Sequence, residues 1–298
     1  MQTTILKGKT VSSKIKEGLI DRVKHLKSLD ITPGLAAIII GNNPASELYV
    51  SSKAKTFKKM NCFSEIFKLD KDIKQNEIID FIKRLNKNDK FHGILLQLPL
   101  PVHLDENELL NTIDPIKDVD GFHPANLGLL MQGNPNFIPC TPLGCIKILD
   151  HYKIKTEKKH VVVVGRSNIV GKPIASLLSQ NFNYGNATVT LCHSRTSNLS
   201  QFTKQADILI AAVGVPNLIK KNMVREGVVI IDVGINRVED KDKERGYRIV
   251  GDVDFEGMLN HAEAITPVPG GVGVMTVTML LSNTIDSAFN KIKKMEIK

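Results

Sequence analysis

The run from His160 to Pro173, His-Val-Val-Val-Val-Gly-Arg-Ser-Asn-Ile-Val-Gly-Lys-Pro, is an apolar strand that breaks at a glycine and passes into a helix start. It lies mid-chain, so the residues before it are free to form a separate, substrate-handling unit. In such a turn Gly165 and Gly171 carry no side chain, and backbone N–H groups and a helix N-terminus can approach a pyrophosphate. Two standard patterns come close and fail. A Walker A loop needs four residues between its glycines and a hydroxyl residue after the lysine. Here five residues separate Gly165 from Gly171, and Pro173 follows Lys172. The standard Rossmann fingerprint has a second glycine where Ser167 stands. The segment reads as a variant dinucleotide turn, with an ordinary glycine-bearing strand-to-helix turn as the competing reading.

The residues beyond Pro173 favour the dinucleotide. After a helical stretch to about Gln180 come the short apolar runs Ala187–Cys192, Ala206–Ala212 and Val228–Asp232. Such β-branched runs alternating with helical patterns read as βαβ units on a buried parallel sheet. An NAD site usually ends its second strand with an acidic residue for the ribose hydroxyls. This chain has Cys192-His193-Ser194-Arg195 there, and Arg166 stands in the glycine turn. With no carboxylate to repel a phosphate, the 2′-phosphate of NADP fits better than the bare hydroxyl of NAD, unless Arg195 is only a solvated loop charge.

A chain of 298 residues can hold two α/β domains with their own cores. Its 40 Lys and Arg against 31 Asp and Glu give a formal charge of +9, which raises nucleic acid as a partner. The lysines are scattered and aromatics make up only 5%, so no basic stacking platform is visible and no nucleic-acid partner is expected. A solvated lysine-rich surface, with some attraction for polyanionic small substrates, is the simpler reading. Cys62, Cys140, Cys145 and Cys192 show neither paired metal-ligand spacing nor the density of a disulfide scaffold, and read as reduced thiols. No apolar run approaches the length of a membrane span, and Met1 to Thr10 lacks a signal-peptide core, so the expectation is a soluble, cytoplasmic protein without a membrane partner.

The first half also reads as α/β. Val11, Ile15, Leu19, Val23 and Leu26 recur at helical spacing, and Gly34 to Ile40 is a short apolar strand. The strand ends at Gly41-Asn42-Asn43-Pro44, where Asn43 can cap a helix whose first position is Pro44. That helix carries Tyr49 and Lys53 four residues apart, on one face. A strand at Cys62 to Lys68, an amphipathic stretch from Glu77 to Leu85 and a strand at Gly93 to Gln97 continue the alternation. Gln97 would emerge at a strand's carboxyl end, where open α/β sheets bind ligands. The loop from Ile113 to Asn126 then gathers Asp114, Lys117, Asp118, Asp120, His123 and Asn126. The carboxylates share one short loop and Lys117 competes for them, so a single carboxylate that recognises a ligand's N–H groups is favoured over a metal site.

Taken in order, these segments resemble a known family. Tyr49-Val50-Ser51-Ser52-Lys53-Ala54-Lys55, Gly93-Ile94-Leu95-Leu96-Gln97-Leu98-Pro99-Leu100-Pro101, Lys117-Asp118-Val119-Asp120-Gly121-Phe122-His123-Pro124, Pro139-Cys140-Thr141-Pro142, Gly165 to Pro173 and Pro269-Gly270-Gly271-Val272-Gly273 are similar to segments of the bifunctional methylenetetrahydrofolate dehydrogenase/methenyltetrahydrofolate cyclohydrolase family, called FolD in bacteria. The resemblance runs over nearly the whole chain.

It implies hydride transfer from 5,10-methylenetetrahydrofolate to NADP, then hydrolysis of the methenyl cation to 10-formyltetrahydrofolate. It also implies Lys53 as the central catalytic residue, Tyr49 packing on the folate, Gln97 tuning Lys53 and Asp120 binding the pterin. Without the resemblance, the preferred reading would be a packed aromatic with a snorkelling lysine for Tyr49 and Lys53, and a loop cap for Asp120. By the same resemblance Gly165, Arg166, Ser167, Ser194 and Ile235 surround the cofactor, and Gly271 and Gly273 lie near the folate. The implied architecture is an α/β catalytic domain of residues 1–140, completed by residues 277–298 of a C-terminal helix beginning near Met275, and a Rossmann-like NADP-binding domain of residues 141–276. A homodimer is implied as well. Two departures stand out. Val274 replaces the family's proline after Gly-Gly-Val-Gly, which should loosen that loop by restoring φ freedom and an N–H. Met60-Asn61 replaces a glycine-containing turn. The alternatives are a family member that kept only its dehydrogenase activity, a basic nucleic-acid-binding protein, and a short-chain dehydrogenase. In the last family the glycine turn precedes the Tyr/Lys pair, the reverse of the order here.

Overall fold

A computed structural model describes residues 2–243 and 246–296. The chain opens with β1 (Thr4–Ile5), α1 (Gly8–Ser28), β2 (Gly34–Ile40), α2 (Pro44–Lys59), β3 (Phe63–Leu69), α3 (Gln75–Lys87), β4 (Gly93–Leu96), α4 (Glu106–Thr112) and α5 (Pro124–Met131). It continues through α6 (Cys140–His151), β5 (His160–Val164), α7 (Gly171–Ser179), β6 (Thr188–Cys192), α8 (Leu199–Thr203), β7 (Ile208–Ala211), β8 (Val229–Asp232), β9 (Asn236–Glu239), β10 (Tyr247–Val250), α9 (Phe255–Met258), β11 (Ala264–Ile265) and α10 (Val272–Glu296). These elements fall into two compact units, Lys14–Cys140 with Val277–Lys298, and Met1–Ser13 with Thr141–Thr276.

In the first unit β2 is the middle strand of a parallel sheet of order β3-β2-β4. Its seven residues are all buried, which is why Gly-Leu-Ala-Ala-Ile-Ile-Ile reads as an unbroken apolar run and not an alternating one. Helix α3 lays Ile78, Ile82 and Leu85 on a core that includes Ile38, Ile94 and Leu96. The turn after α2 needs no glycine. Asn61 takes φ +55, a left-handed conformation that asparagine tolerates, and Cys62 N–H returns to the Phe57 carbonyl at 2.9 Å to close the helix.

In the second unit the parallel strands run β1-β11-β8-β7-β5-β6. The chain winds from β5 outward to β6, then crosses back to β7 and on to β8, so the carboxyl end of β5 lies at a topological switch point. Residues Val161 to Val164 are at most 1% exposed, as a central strand covered on both faces requires. A separate antiparallel pair, β9 with β10, follows β8.

Three sequence expectations are corrected. The first residues, assigned to the catalytic domain, group with the second unit, because Thr4 and Ile5 pair in register with Ala264 and Ile265 and extend that sheet. Helix α10 begins at Val272, before Met275, so Val274 lies within its first turn, where helix geometry sets its backbone; the loosened loop does not arise. Finally, an 18-residue stretch within Val272–Ile292 reaches a mean hydropathy of 1.2, long and apolar enough to cross a membrane, although 67% of it is buried inside the protein. Its apolar residues serve the core. Leu280, Leu281 and Ile285 are wholly buried, and Ser287 Oγ donates to the carbonyls of His92 at 2.6 Å and Ile116 at 2.9 Å.

Gly93 shows how tightly α10 and the loop before α5 close on β4. A Cβ there would stand 2.6 Å from Val119 Cγ2 and 3.2 Å from Thr284 Oγ1. Gly93→Ala is therefore expected to cost about 1–3 kcal/mol through overpacking, read as a lower denaturation midpoint at unchanged slope.

Candidate active site

Asn43 starts the helix that carries the first pair of polar residues: its Oδ1 accepts the Ser46 N–H at 3.2 Å. One face of α2 then presents Tyr49 and Lys53, with the Lys53 amine 4.6 Å from the Tyr49 ring centroid. Lys53 is only 3% exposed. Its Nζ donates to Gln97 Oε1 at 3.1 Å, and Gln97 Nε2 donates to the Leu98 carbonyl at 2.7 Å, which fixes the direction of the amide. Gln97 follows β4, and its own N–H bonds the Ile38 carbonyl at 2.9 Å. The β2–β4 register thus places the amide that holds the lysine.

Asp120 and Cys140 complete the cluster. Burial lowers the Lys53 pKa, against the opposing pull of Asp120 and then Cys140. Burial raises that of Asp120, with Lys53 opposing and Asp118 adding to the rise. Both groups are pushed toward their neutral forms, so an amine here gives up a proton at a lower pH than a solvated lysine does. The Cys140 thiol, raised well above its ordinary range by burial and by Asp120, lies within hydrogen-bonding reach of that carboxyl. It also donates to the Val119 carbonyl at 3.3 Å.

The remaining polar residues of the loop have other work. Asp118 accepts the N–H groups of Gly121, Phe122 and His123 and the Asn126 side chain, at 2.8–3.2 Å. Asp114 attracts the charge of Lys117, but the hydrogen bonds of that amine go elsewhere. It turns to the Leu85 and Asn88 carbonyls at 3.2 and 2.8 Å, at the end of α3. His123 Nδ1 caps α5 by accepting the Ala125 N–H at 3.0 Å. Asn283 of α10 donates to the carbonyls of Val119 at 2.8 Å and Ile138 at 3.1 Å, beside Asp120 and Cys140. The motif Pro139-Cys140-Thr141-Pro142 was the available signal for Cys140; Asn283 had none, because its partners lie far away in sequence.

The glycine turn of the second unit has the shape its sequence predicts. Gly165 takes φ +123, and a side chain there would collide with the Ala212 carbonyl. Ser167 Oγ accepts the N–H groups of Val170 and Gly171 at 3.1 and 3.3 Å, capping the region where α7 begins. Pairing of Val164 with Cys192 carries the next residues of both strands to the same sheet edge, where Gly165 N–H bonds the Cys192 carbonyl at 2.9 Å. Arg166, Ser167, Ser194 and Arg195 are exposed there, with no carboxylate among residues 192–195. A side-chain-free turn and a basic, hydroxyl-bearing edge suit a phosphorylated dinucleotide. Ile235, 56% exposed, follows β8, and a Cβ on Gly273 would stand 3.0 Å from its Cδ1. Gly271 is buried against Thr266 and Pro267.

Comparison with known proteins finds two domains in the same order, with boundaries unlike those of the compact units at both ends of the chain. Residues 6–120 match the catalytic domain of the tetrahydrofolate dehydrogenase/cyclohydrolase family, and residues 139–292 match its NAD(P)-binding domain. The bifunctional protein FolD of Chlorobium chlorochromatii is 51% identical over 286 residues, 95% of this chain and 97% of the relative. That of Acetivibrio thermocellus is 51% identical over 288 residues, 97% and 98% of the two chains. Among solved structures, the Campylobacter jejuni FolD methylenetetrahydrofolate dehydrogenase/cyclohydrolase superposes with a TM-score of 0.91 at 49% identity, covering 97% of this chain and 99% of the other. The Trypanosoma brucei FolD, solved with NADP and an inhibitor, gives 0.92 at 36% identity over 98% and 99%. With both domain models matched in order and relatives of half identity spanning nearly its whole length, this chain belongs to the tetrahydrofolate dehydrogenase/cyclohydrolase family of bifunctional FolD proteins.

Proposed function

We infer that the chain carries out both reactions of its family, oxidation of 5,10-methylenetetrahydrofolate and hydrolysis of the methenyl product, with Lys53, Tyr49, Gln97 and Asp120 as the catalytic set. The observation that carries this reading is the Lys53 amine, 3% exposed, bonded to Gln97 and biased toward its neutral form by burial. When bound, NADP accepts the hydride that leaves the methylene carbon. In the second reaction one water adds to the methenyl carbon, the bond from that carbon to N5 breaks, and 10-formyltetrahydrofolate and one proton result.

Each side chain has a physical reason for its part. A neutral Lys53 does not repel the cationic methenyl group, and it can take the proton of the attacking water. Gln97 accepts one N–H of that amine and so leaves the nitrogen lone pair turned elsewhere, toward a proton donor. The two oxygens of Asp120 match adjacent N–H donors on the pterin ring, and the half-buried Tyr49 ring offers a flat face with a polar tip. Gly271 and Gly273 offer the folate bare backbone. In the second unit, Gly165 admits the pyrophosphate, Ser167 shapes the turn, Arg166 and Ser194 hold the 2′-phosphate, and exposed Ile235 supplies an apolar face for the nicotinamide.

The same reading includes a homodimer joined through the second unit. Strand β6 is a sheet edge, with Thr188 exposed and Leu191 38% exposed, and a second copy would cover that apolar edge. Four buried, unpaired cysteines are in keeping with a cytoplasmic location. A monomeric mass at micromolar concentration would overturn the dimer.

Lys53→Met is expected to lower cyclohydrolase turnover by about 100-fold or more, measured by loss of methenyl absorbance. Wild-type turnover in that variant would remove Lys53 from the mechanism. Gln97→Glu places a carboxylate against the amine and favours its charged form, so the acid limb of the cyclohydrolase pH profile should move to higher pH. Ser194→Asp puts a negative charge where the 2′-phosphate is held. Its kcat/KM should fall about tenfold or more with NADP and hold or rise with NAD.

A further inference from the structure

Two buried aspartates of the second unit lie outside the residues assigned above to either reaction. Asp232, at the end of β8, is 3% exposed, and Asp252, two residues past β10, is fully buried. Backbone donors occupy both. Asp252 Oδ2 accepts the N–H groups of Val213 at 2.7 Å and Gly214 at 3.0 Å, while its Oδ1 accepts Asn236 Nδ2 at 2.8 Å. Asp232 Oδ1 accepts the N–H groups of Gly234 and Asp252, and its Oδ2 that of Val253, all at 2.9 Å. Burial pushes the Asp232 carboxyl up to about 6, against the pull of these three bonds. The surrounding glycines fit the arrangement: a side chain on Gly234 would strike the Asp252 carboxylate, and one on Gly251 would strike that of Asp232.

The interlock holds two loops in place. Val213 and Gly214 leave β7 directly after Ala212, whose carbonyl fills the place a Gly165 side chain would take. Gly234 to Asn236 leave β8 and flank the exposed Ile235. Both loops issue from the carboxyl ends of adjacent parallel strands beside the switch point, the edge of such a sheet that receives ligands.

We propose that Asp252, supported by Asp232, is a positioning residue for the dinucleotide: without touching it, the carboxylate sets the spacing between the loop at residues 213–214 and the loop at residues 234–236, and thereby the affinity for NADP. The proposal rests on the NADP reading given above. A carboxylate is required because it only accepts. An amide at this position would turn its NH₂ either on the Val213 and Gly214 N–H groups or on the Asn236 NH₂, so one side is always donor against donor.

The test uses the full-length enzyme and two activities that depend on this edge differently. For Asp252→Asn, the NADP dissociation constant from fluorescence titration and the dehydrogenase KM for NADP should each rise about tenfold or more. Cyclohydrolase turnover on 5,10-methenyltetrahydrofolate without NADP should stay within about twofold of wild type, which reports that the protein is folded. The exchange Asp252→Asn with Asn236→Asp restores a donor facing an acceptor and should recover most of the lost affinity. Unchanged NADP affinity, equal loss of both activities, or no recovery in the exchanged pair would overturn the proposal. If Asp252→Asn does not fold, Asn236→Ala removes one of the three bonds and should raise the NADP dissociation constant alone. Failure of the NADP reading looks different: the wild-type protein itself would show no NADP binding in the same titration.

Discussion

Holding the Lys53 amine out of water is the constraint around which the first unit's site is organised. A buried amine is costly unless it is hydrogen-bonded; here Gln97 supplies the bond, and the pull of Asp120 only partly offsets the push of burial toward the neutral form. Neither can drift. Gln97 is fixed at both ends, by its main-chain bond to Ile38 and its side-chain bond to the Leu98 carbonyl. Asp120 sits in a loop tied down by Asp118 on one side and by Asn283 of α10 on the other. The helix that closes the chain is thus as much a part of the site as the helix that carries the lysine.

The two units use carboxylates in two distinct ways, and geometry tells them apart. Asp118, Asp232 and Asp252 are filled with main-chain and amide N–H donors, so they have little capacity left for a ligand and act on the backbone around them. Asp120 faces an amine and a thiol, and its carboxyl is raised by burial. A group so placed has its charge governed by its neighbours, as a residue that meets substrate requires. Four aspartates therefore divide into loop builders and a site residue only through what surrounds them.

Much of the architecture was legible before the structure. The unbroken apolar runs of β2 and β5 declare strands covered on both faces, and Asn43 before Pro44 declares the start of α2, since those patterns act over a few residues. The glycine turn at Gly165 was likewise local, and its positive φ follows from a side-chain-free residue at the end of a strand. The misjudged features all depend on partners distant in sequence. Strand β1 joins the second unit because it pairs with β11, and Lys117 serves the end of α3 because the fold brings Leu85 and Asn88 to it. The C-terminal helix was expected, but its apolar length was not, because Thr, Ser and Asn interrupt its apolar stripe at positions that turn out to bond buried carbonyls.

The sequence by itself determined the parallel α/β class, the two-unit plan and the residue types available for chemistry, because periodicity, capping and glycine placement act locally. Only the tertiary structure decided which of those residues meet. Lys53, Gln97, Asp120, Cys140 and Asn283 come from separate segments of the chain, and Asp232 and Asp252 interlock across loops that no local rule joins. Burial and hydrogen bonding between such distant groups set their protonation and orientation, and those quantities exist only once the chain has closed on itself.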